Sequence, residues 1–377
     1  MEKSSQASPI TNPDVSAGAN SHSRLYIPSL DGIRTIAFLI VFVFHAGLKK
    51  LAPAGFGVTV FFFLSGYLIT TLLRQEYDRY QTFDFKLFYL RRILRIWPPF
   101  YLVLGLGAGL TVLGLLKGQI DLPPFLAQCL HYGNYYRVLV SENNVTVGSW
   151  VCWSLAVEEH FYLLFPLLYV TLRQLHVSSR RQMLIFWVLC LAVLLWRCVL
   201  TYGFGASFDR AYYGTDTRLD SILFGCALAV NGNPMLDAQH YSNKVWKYFF
   251  LPAGLILILF SFIYRSPDFK QTFGFTIQGI GLYPIFITAI RFPNWGLFAV
   301  LNLKWIRFIG VLSYSLYLVH DTVILAVEMY LPQLHKVLQG GISLLISFGL
   351  AYVIYQFIEF PLGQLRKKFS HNMAQKT

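Results

Sequence analysis

Long apolar runs, separated by short polar or basic segments, recur along this chain from about residue 29 to about residue 360. Ten of them read as membrane spans, by the yardstick that a helix needs about 20 apolar residues to cross the hydrocarbon core of a bilayer. They cover about 29–48, 56–73, 97–116, 151–172, 182–201, 218–232, 246–263, 273–290, 308–330 and 341–360, and the run at 218–232 is the short, weak one. The pattern predicts an all-α polytopic integral membrane protein with about ten transmembrane helices. Basic residues sharpen that prediction. With a cytoplasmic N-terminus, the inner segments hold about twenty Lys and Arg and the outer ones about ten. The inner set includes Arg74, Arg79, Lys86, Arg91, Arg92 and Arg95, then Arg173, Arg180 and Arg181, then Arg291, Lys304 and Arg307, and last Arg366, Lys367 and Lys368. Positive charge collects on the cytoplasmic side, so both termini are expected inside.

Composition agrees. The 377 residues are 55% hydrophobic and 13% charged, with a mean hydropathy of +0.51. A soluble domain carries roughly twice that charged fraction. The net charge of +13 is explained by the inner loops, and no basic globular patch suggests a nucleic-acid partner. Cys129, Cys152, Cys190, Cys198 and Cys226 form no CxxC pair and read as small hydrophobes. Residues 1–25, rich in Ser, Asn, Ala and Pro, read as a disordered cytoplasmic tail without a signal peptide. Residues 26–365 read as one membrane domain and 366–377 as a basic cytoplasmic tail. There is no internal repeat, and no matched pair of Gly/Pro-broken helices of the kind transporters show. The segment at about 117–150 is the longest external one, placed to cover or shape a site; within it Asn144-Val145-Thr146 matches a glycosylation sequon.

Ionisable residues inside apolar spans are expensive and mark function. Arg34 and His45 lie eleven residues apart in the first span, which puts them on nearly one helix face, about 16 Å apart along the axis. His45 is a candidate general base. Arg34 either pairs with Asp31 or holds an anionic donor group. The plainer reading is a histidine bonded to a neighbouring helix beside a snorkelling arginine. Arg91, Arg92 and Arg95 sit at the mouth of the third span, where guanidinium forks suit phosphates and equally suit lipid headgroups. In the fourth span, Ser154 and Glu158 share a face next to Glu159 and His160. A carboxylate there would orient an imidazole, bind sugar hydroxyls or join a structural network. Ser313, Tyr317 and His320 form an i, i+4, i+7 seam, in which His320 reads as a satisfied core histidine. The cluster from Tyr213 to Asp220 either lines an acceptor site or caps a helix. Gly66 permits close helix approach. No His/Cys/Asp set has ligand spacing, so no metal is expected.

These motifs, in order, resemble the membrane-bound acyltransferase family 3. The resemblance runs from about residue 26 to 365. It is carried by Leu30-Asp31-Gly32-Ile33-Arg34 with its spacing to His45, by Gly57 to Ile69, by Arg91-Arg92-Ile93-Leu94-Arg95, by Trp153 to Glu159, by the Arg218 cluster and by Ser313 to His320. It implies a ten-helix core with cytoplasmic termini in a bacterial inner membrane. The implied reaction moves an acyl group, usually acetyl, from acyl-coenzyme A to a hydroxyl of a saccharide or glycoside. No bound cofactor is implied, since acyl-coenzyme A is the donor substrate. His45 would be the catalytic histidine and Arg34 its motif arginine. Arg91, Arg92 and Arg95 would hold the donor, and Ser154 with Glu158 or Glu159 would belong to the core site. Apart from the resemblance, Glu158 at a depth comparable to His45 is expected to tune the imidazole by favouring the imidazolium. Thr59 stands where many members have Asp, and His160 where many have Gln, so neither is assigned a role. Some members append an extracytoplasmic domain, so a partner protein is one way to complete the transfer. A multi-span transporter or export partner that uses the same charges to bind substrate is the alternative.

Overall fold

The computed structural model describes residues 27–48, 53–140 and 147–374. Ten principal helices build it: α1 Pro28–His45, α2 Ala54–Tyr80, α3 Phe85–Val112, α4 Trp153–Gln174, α5 Ser179–Cys198, α6 Thr215–Val230, α7 Leu251–Ile263, α8 Phe275–Arg291, α9 Lys304–Tyr330 and α10 Lys336–Ile354. Among the described residues nine stretches built on these helices are long and apolar enough to cross a membrane. The remaining helix, α6, corresponds to the weak run of the sequence. Its 16 residues give only about 24 Å of rise, and its first turns hold Asp216, Arg218 and Asp220. Yet every residue from Asp220 to Val230 is buried. Its polar residues face protein instead of lipid, so its hydropathy understates its place at the centre.

α6 packs against α2 and α5 and, less extensively, α8. The α2 contact is made backbone to backbone. A Cβ on Gly66 would collide with the Ile222 carbonyl oxygen, and one on Gly225 with the Phe63 carbonyl oxygen. Between helices in lipid there is no water-driven hydrophobic force, so such close approach supplies the packing energy. Gly310 does the same for α9 against Asp31 of α1. α5 is tied in by a buried ion pair. Arg197 lies 2.7 Å from Asp220, both fully buried, and donates further to the Thr217 and Thr272 carbonyls and to Thr276 Oγ1. Removing one partner of such a pair costs about 3–5 kcal/mol, because the other charge stays buried.

Several expected boundaries move. The third helix starts at Phe85, not near 97, so Arg91, Arg92 and Arg95 lie within it and Pro98 and Pro99 interrupt its interior. The apolar run begins only after those three charges. The arginines are accommodated by protein contacts, and the prolines free two carbonyls at the helix centre. The chain after α10 passes a π-turn, Tyr355–Glu359, and continues as the helix Phe360–Ala374 against α3, so the expected basic tail is helical as far as Ala374. The N-terminal tail and the Asn144 sequon lie outside the described residues.

Among its described residues, the segment at 117–150 contains two short helices, Leu122–Cys129 and Gly133–Leu139. It is fastened to the bundle. His131 stacks on Phe100 and Trp97, and burial holds its imidazole down to about 4. Asn134 Nδ2 donates to the Tyr213 carbonyl and to Thr215 Oγ1 at the start of α6. All five cysteines are free thiols.

The α2–α6 contact yields a prediction. Gly225→Ala will lower the thermal midpoint of the detergent-purified protein by several degrees or abolish its monodisperse peak. Gly341→Ala will leave it unchanged or slightly raised, because nothing lies within 4 Å of that added Cβ and alanine is the better helix former. Equal midpoints for the two variants would contradict the backbone-to-backbone packing.

Candidate active site

Two chambers lie between the helices, one on either side of Tyr317. The first, of about 310 Å³, is lined by Asp31 and Arg34 of α1, Arg92 and Arg95 of α3, and Ser154, Glu158 and Tyr162 of α4. The second, of about 1160 Å³, is lined by His45 at the end of α1, by Arg137, Trp150, Trp153 and Tyr212, and by Asp321. Val58 and Tyr317 line both. The Tyr317 hydroxyl is held at 2.7 Å from Ser154 Oγ and donates to the Val151 carbonyl. The aromatic partition is therefore fixed by hydrogen bonds to the start of α4.

The first chamber is rich in guanidinium. Arg34 is held at 2.7 Å from Asp31, one turn before it on α1. Arg92 lies over the rings of Phe88 and Tyr162, with its buried Nε unpartnered. Among the described residues neither Arg92 nor Arg95 makes an ion pair. Glu158 Oε2 accepts from the Tyr162 hydroxyl at 3.1 Å, and that hydroxyl in turn lies 2.5 Å from Ser65 Oγ. Three arginines thus share a small space with two carboxylates, one of which is already committed to Arg34. The balance favours an anion.

In the second chamber the geometry fixes a tautomer. His320 is fully buried on α9, and its Nδ1 lies 2.7 Å from the Tyr317 carbonyl oxygen. A carbonyl only accepts, so this nitrogen carries the proton. With both rings neutral, His320 Nε2 is then an acceptor. His45 Nδ1, 3.1 Å away, must donate to it. The basic lone pair of His45 therefore resides on Nε2. A carbonyl–imidazole–imidazole chain orients a base as a carboxylate does in a hydrolase triad.

These positions sort the residues singled out from sequence. Arg34, Arg92, Arg95, Ser154 and Glu158 are brought together around the first chamber. Arg91 is not among them; its guanidinium reaches sideways to Glu76 of α2 at 2.8 Å. Glu159 lies outside both chambers and accepts weakly from Trp97 Nε1 at 3.5 Å. Glu158 does not partner His45. It faces the first chamber while His45 faces the second, and His320 stands where Glu158 was expected. His320 is indeed satisfied at both ring nitrogens, as a core histidine would be, but one partner is His45. The Ser313, Tyr317, His320 seam carried that signal, since one helix stripe supplies the partition and the second imidazole. Arg137 and Trp150 had no comparable signal beyond lying in a long loop. His160 bonds Thr215 Oγ1 and ties α4 to α6. Thr59 Oγ1 accepts from Arg218 at 2.9 Å.

Comparison with known proteins agrees with the motifs. A family model described as an acyltransferase domain matches residues 27–356. SACOL0978 of Staphylococcus aureus (strain COL) is 33% identical over 356 residues, which are 89% of this chain and 57% of that protein. The O-acetyltransferase OatA of Staphylococcus aureus (strain NCTC 8325 / PS 47) is 31% identical over 360 residues, 92% of this chain and 58% of its own. The chain thus spans somewhat over half the length of these relatives. No solved structure matches. With a family match over nearly the whole membrane bundle, this chain belongs to the acyltransferase domain family, acyltransferase 3.

Proposed function

We propose that this chain is a membrane O-acyltransferase that takes an acyl group from acyl-coenzyme A on the cytoplasmic side and transfers it to a hydroxyl of a saccharide or glycoside on the other. One observation carries the reading: a chamber with arginines in excess of carboxylates and a chamber holding an oriented imidazole lone pair share the Val58 and Tyr317 wall. The excess of Lys and Arg in the segments around the first chamber supports a cytoplasmic placement for it and for both termini. The name of OatA supports acetyl as the acyl group.

In this reading Arg92 and Arg95 hold phosphates of the donor, and Arg34, pinned by Asp31, adds a third cation deeper along α1. The pantetheine arm extends past Tyr317, over the roughly 16 Å that separate residues 34 and 45 on one helix. An acceptor hydroxyl enters the second chamber. Its oxygen attacks the thioester carbonyl while its proton passes to His45 Nε2. The C–S bond then breaks, the ester is released, and the imidazolium proton goes to the departing thiolate. During attack His45 gains positive charge, and its Nδ1–H bond to His320 strengthens. That differential interaction is what lowers a barrier.

Purified protein with labelled acetyl-coenzyme A and a hydroxyl acceptor tests this directly. His45→Ala will lower acetyl transfer on the order of 10³-fold, and wild-type rates in that variant would refute the assignment. His320→Ala will lower kcat by about 100-fold with the donor KM unchanged, because His45 loses its tautomer; His320→Gln, which can still accept from His45, will recover part of the loss. Arg92→Gln will raise the donor KM by about tenfold or more with a smaller change in kcat. A kcat loss without a KM change would place the phosphates elsewhere.

A further inference from the structure

The second chamber has a chemical signature that a neutral sugar does not require. Its lining includes aromatic rings from Trp150, Trp153, Tyr212 and Tyr213, surfaces suited to the C–H faces of a pyranose. It also includes three permanent cations, Arg137, Arg265 and Lys270, against a single carboxylate, Asp321. Among the described residues none of the three cations makes an ion pair. Arg137 is the most defined. Its guanidinium stacks 4.3 Å from the Trp150 ring centroid and 3.9 Å from that of Tyr213, and its buried Nε has no partner. Stacking against two rings fixes the plane of the donor fork before a ligand arrives, which is the preorganisation that makes arginine selective for carboxylate and phosphate.

A fourth cation lies behind this wall. Arg218 is fully buried, with its guanidinium 3.9 Å from the Phe275 centroid and within 5.7 Å of those of Trp153 and Tyr212. It donates to Thr59 Oγ1 and the Tyr212 carbonyl, both neutral, and among the described residues it makes no ion pair. Its field therefore reaches the chamber through low-dielectric aromatic rings, with little screening. Like charges gathered around a concave space repel one another, and the arrangement is relieved when a ligand of opposite sign enters.

We propose that the acceptor is an anionic saccharide, one whose sugar carries a carboxylate or phosphate substituent, and that Arg137 is its specificity-determining contact. This rests on the second chamber being the acceptor site. The aromatic walls hold the ring, Arg137 grips the anionic substituent in its fork, and Arg265 and Lys270 at the exposed end draw the substrate in.

The test uses two acceptors with the same four free hydroxyls, α-D-glucose 1-phosphate and methyl α-D-glucoside. Binding is measured by tryptophan fluorescence, since Trp150 and Trp153 line the chamber, and transfer is measured from labelled acetyl-coenzyme A. Wild type will bind the phosphate at least about tenfold more tightly and acetylate it with a correspondingly higher kcat/KM. Arg137→Gln will bring the two acceptors to within about threefold by weakening the phosphate alone, and Arg137→Lys will be intermediate. Equal binding of both acceptors by wild type overturns the proposal. So does an equal loss for both in a normally folded Arg137→Gln, which would make Arg137 a packing residue. Binding preference without transfer supports the anion site and counts against the enzymatic reading; transfer without preference does the reverse.

Discussion

The hydrogen bond between His45 and His320 joins the last residue of α1 to the middle of α9, and it decides which nitrogen of each ring bears a proton. Its direction is set from outside the pair, by the Tyr317 carbonyl that accepts from His320. In the interior of a membrane bundle an unmade hydrogen bond is not replaced by water, so the chain has one satisfied arrangement. Placing it requires α1 and α9 in close register. That register comes from Gly310 lying against the Asp31 backbone and from the Thr35 hydroxyl donating to the Ile306 carbonyl at 2.6 Å. The same α9 turn carries the Tyr317 ring that divides the two chambers. A single helix stripe thus positions the imidazole, selects its tautomer and closes the passage beside it.

Buried arginines in this bundle are handled in three ways, and the contrast identifies which of them are available to a ligand. Arg197 is fully compensated by Asp220 and by carbonyl and hydroxyl oxygens, which makes it a structural tie. Arg218 is accommodated by aromatic faces and one threonine hydroxyl, so its charge persists as a field. Arg92 and Arg95 line open space without carboxylate partners. Burial of a guanidinium is unfavourable unless something neutralises it. The first two groups are stabilised by the fold, and in the proposed reading the last is completed by the anionic donor. Arg137 repeats the last arrangement on the far side of Tyr317.

Much of this was legible in the sequence. Spacing alone put Arg34 and His45 on one face, and helix periodicity put Ser154 with Glu158 and Tyr317 with His320. The membrane class followed from run length and charge fraction, and the short run at 218–232 corresponds to the central helix α6. What stayed hidden depends on which neighbouring helix a side chain meets. Arg91 and Arg95 share a helical face, yet Arg91 is captured by Glu76 and Arg92 takes its place in the chamber. Glu158 and His45 fall at plausible depths, yet face opposite sides of Tyr317. The third apolar run reads only from about 97 because Arg91, Arg92 and Arg95 precede it, yet the helix begins at Phe85, since those side chains meet protein. The Arg137 and Trp150 pair is legible only once the segment at 117–150 is seen folded onto α4 and α6.

In the proposed reaction, acyl donor and acceptor meet across the Tyr317 partition from opposite faces of the membrane. Proteoliposomes of defined orientation measure this most directly, with labelled acetyl-coenzyme A on the arginine side and acceptor sealed on the histidine side. Acetyl ester will form in the histidine-side compartment, and none will form when acceptor is supplied only with the donor. Ester formed only when both substrates share one compartment would contradict transfer across the partition.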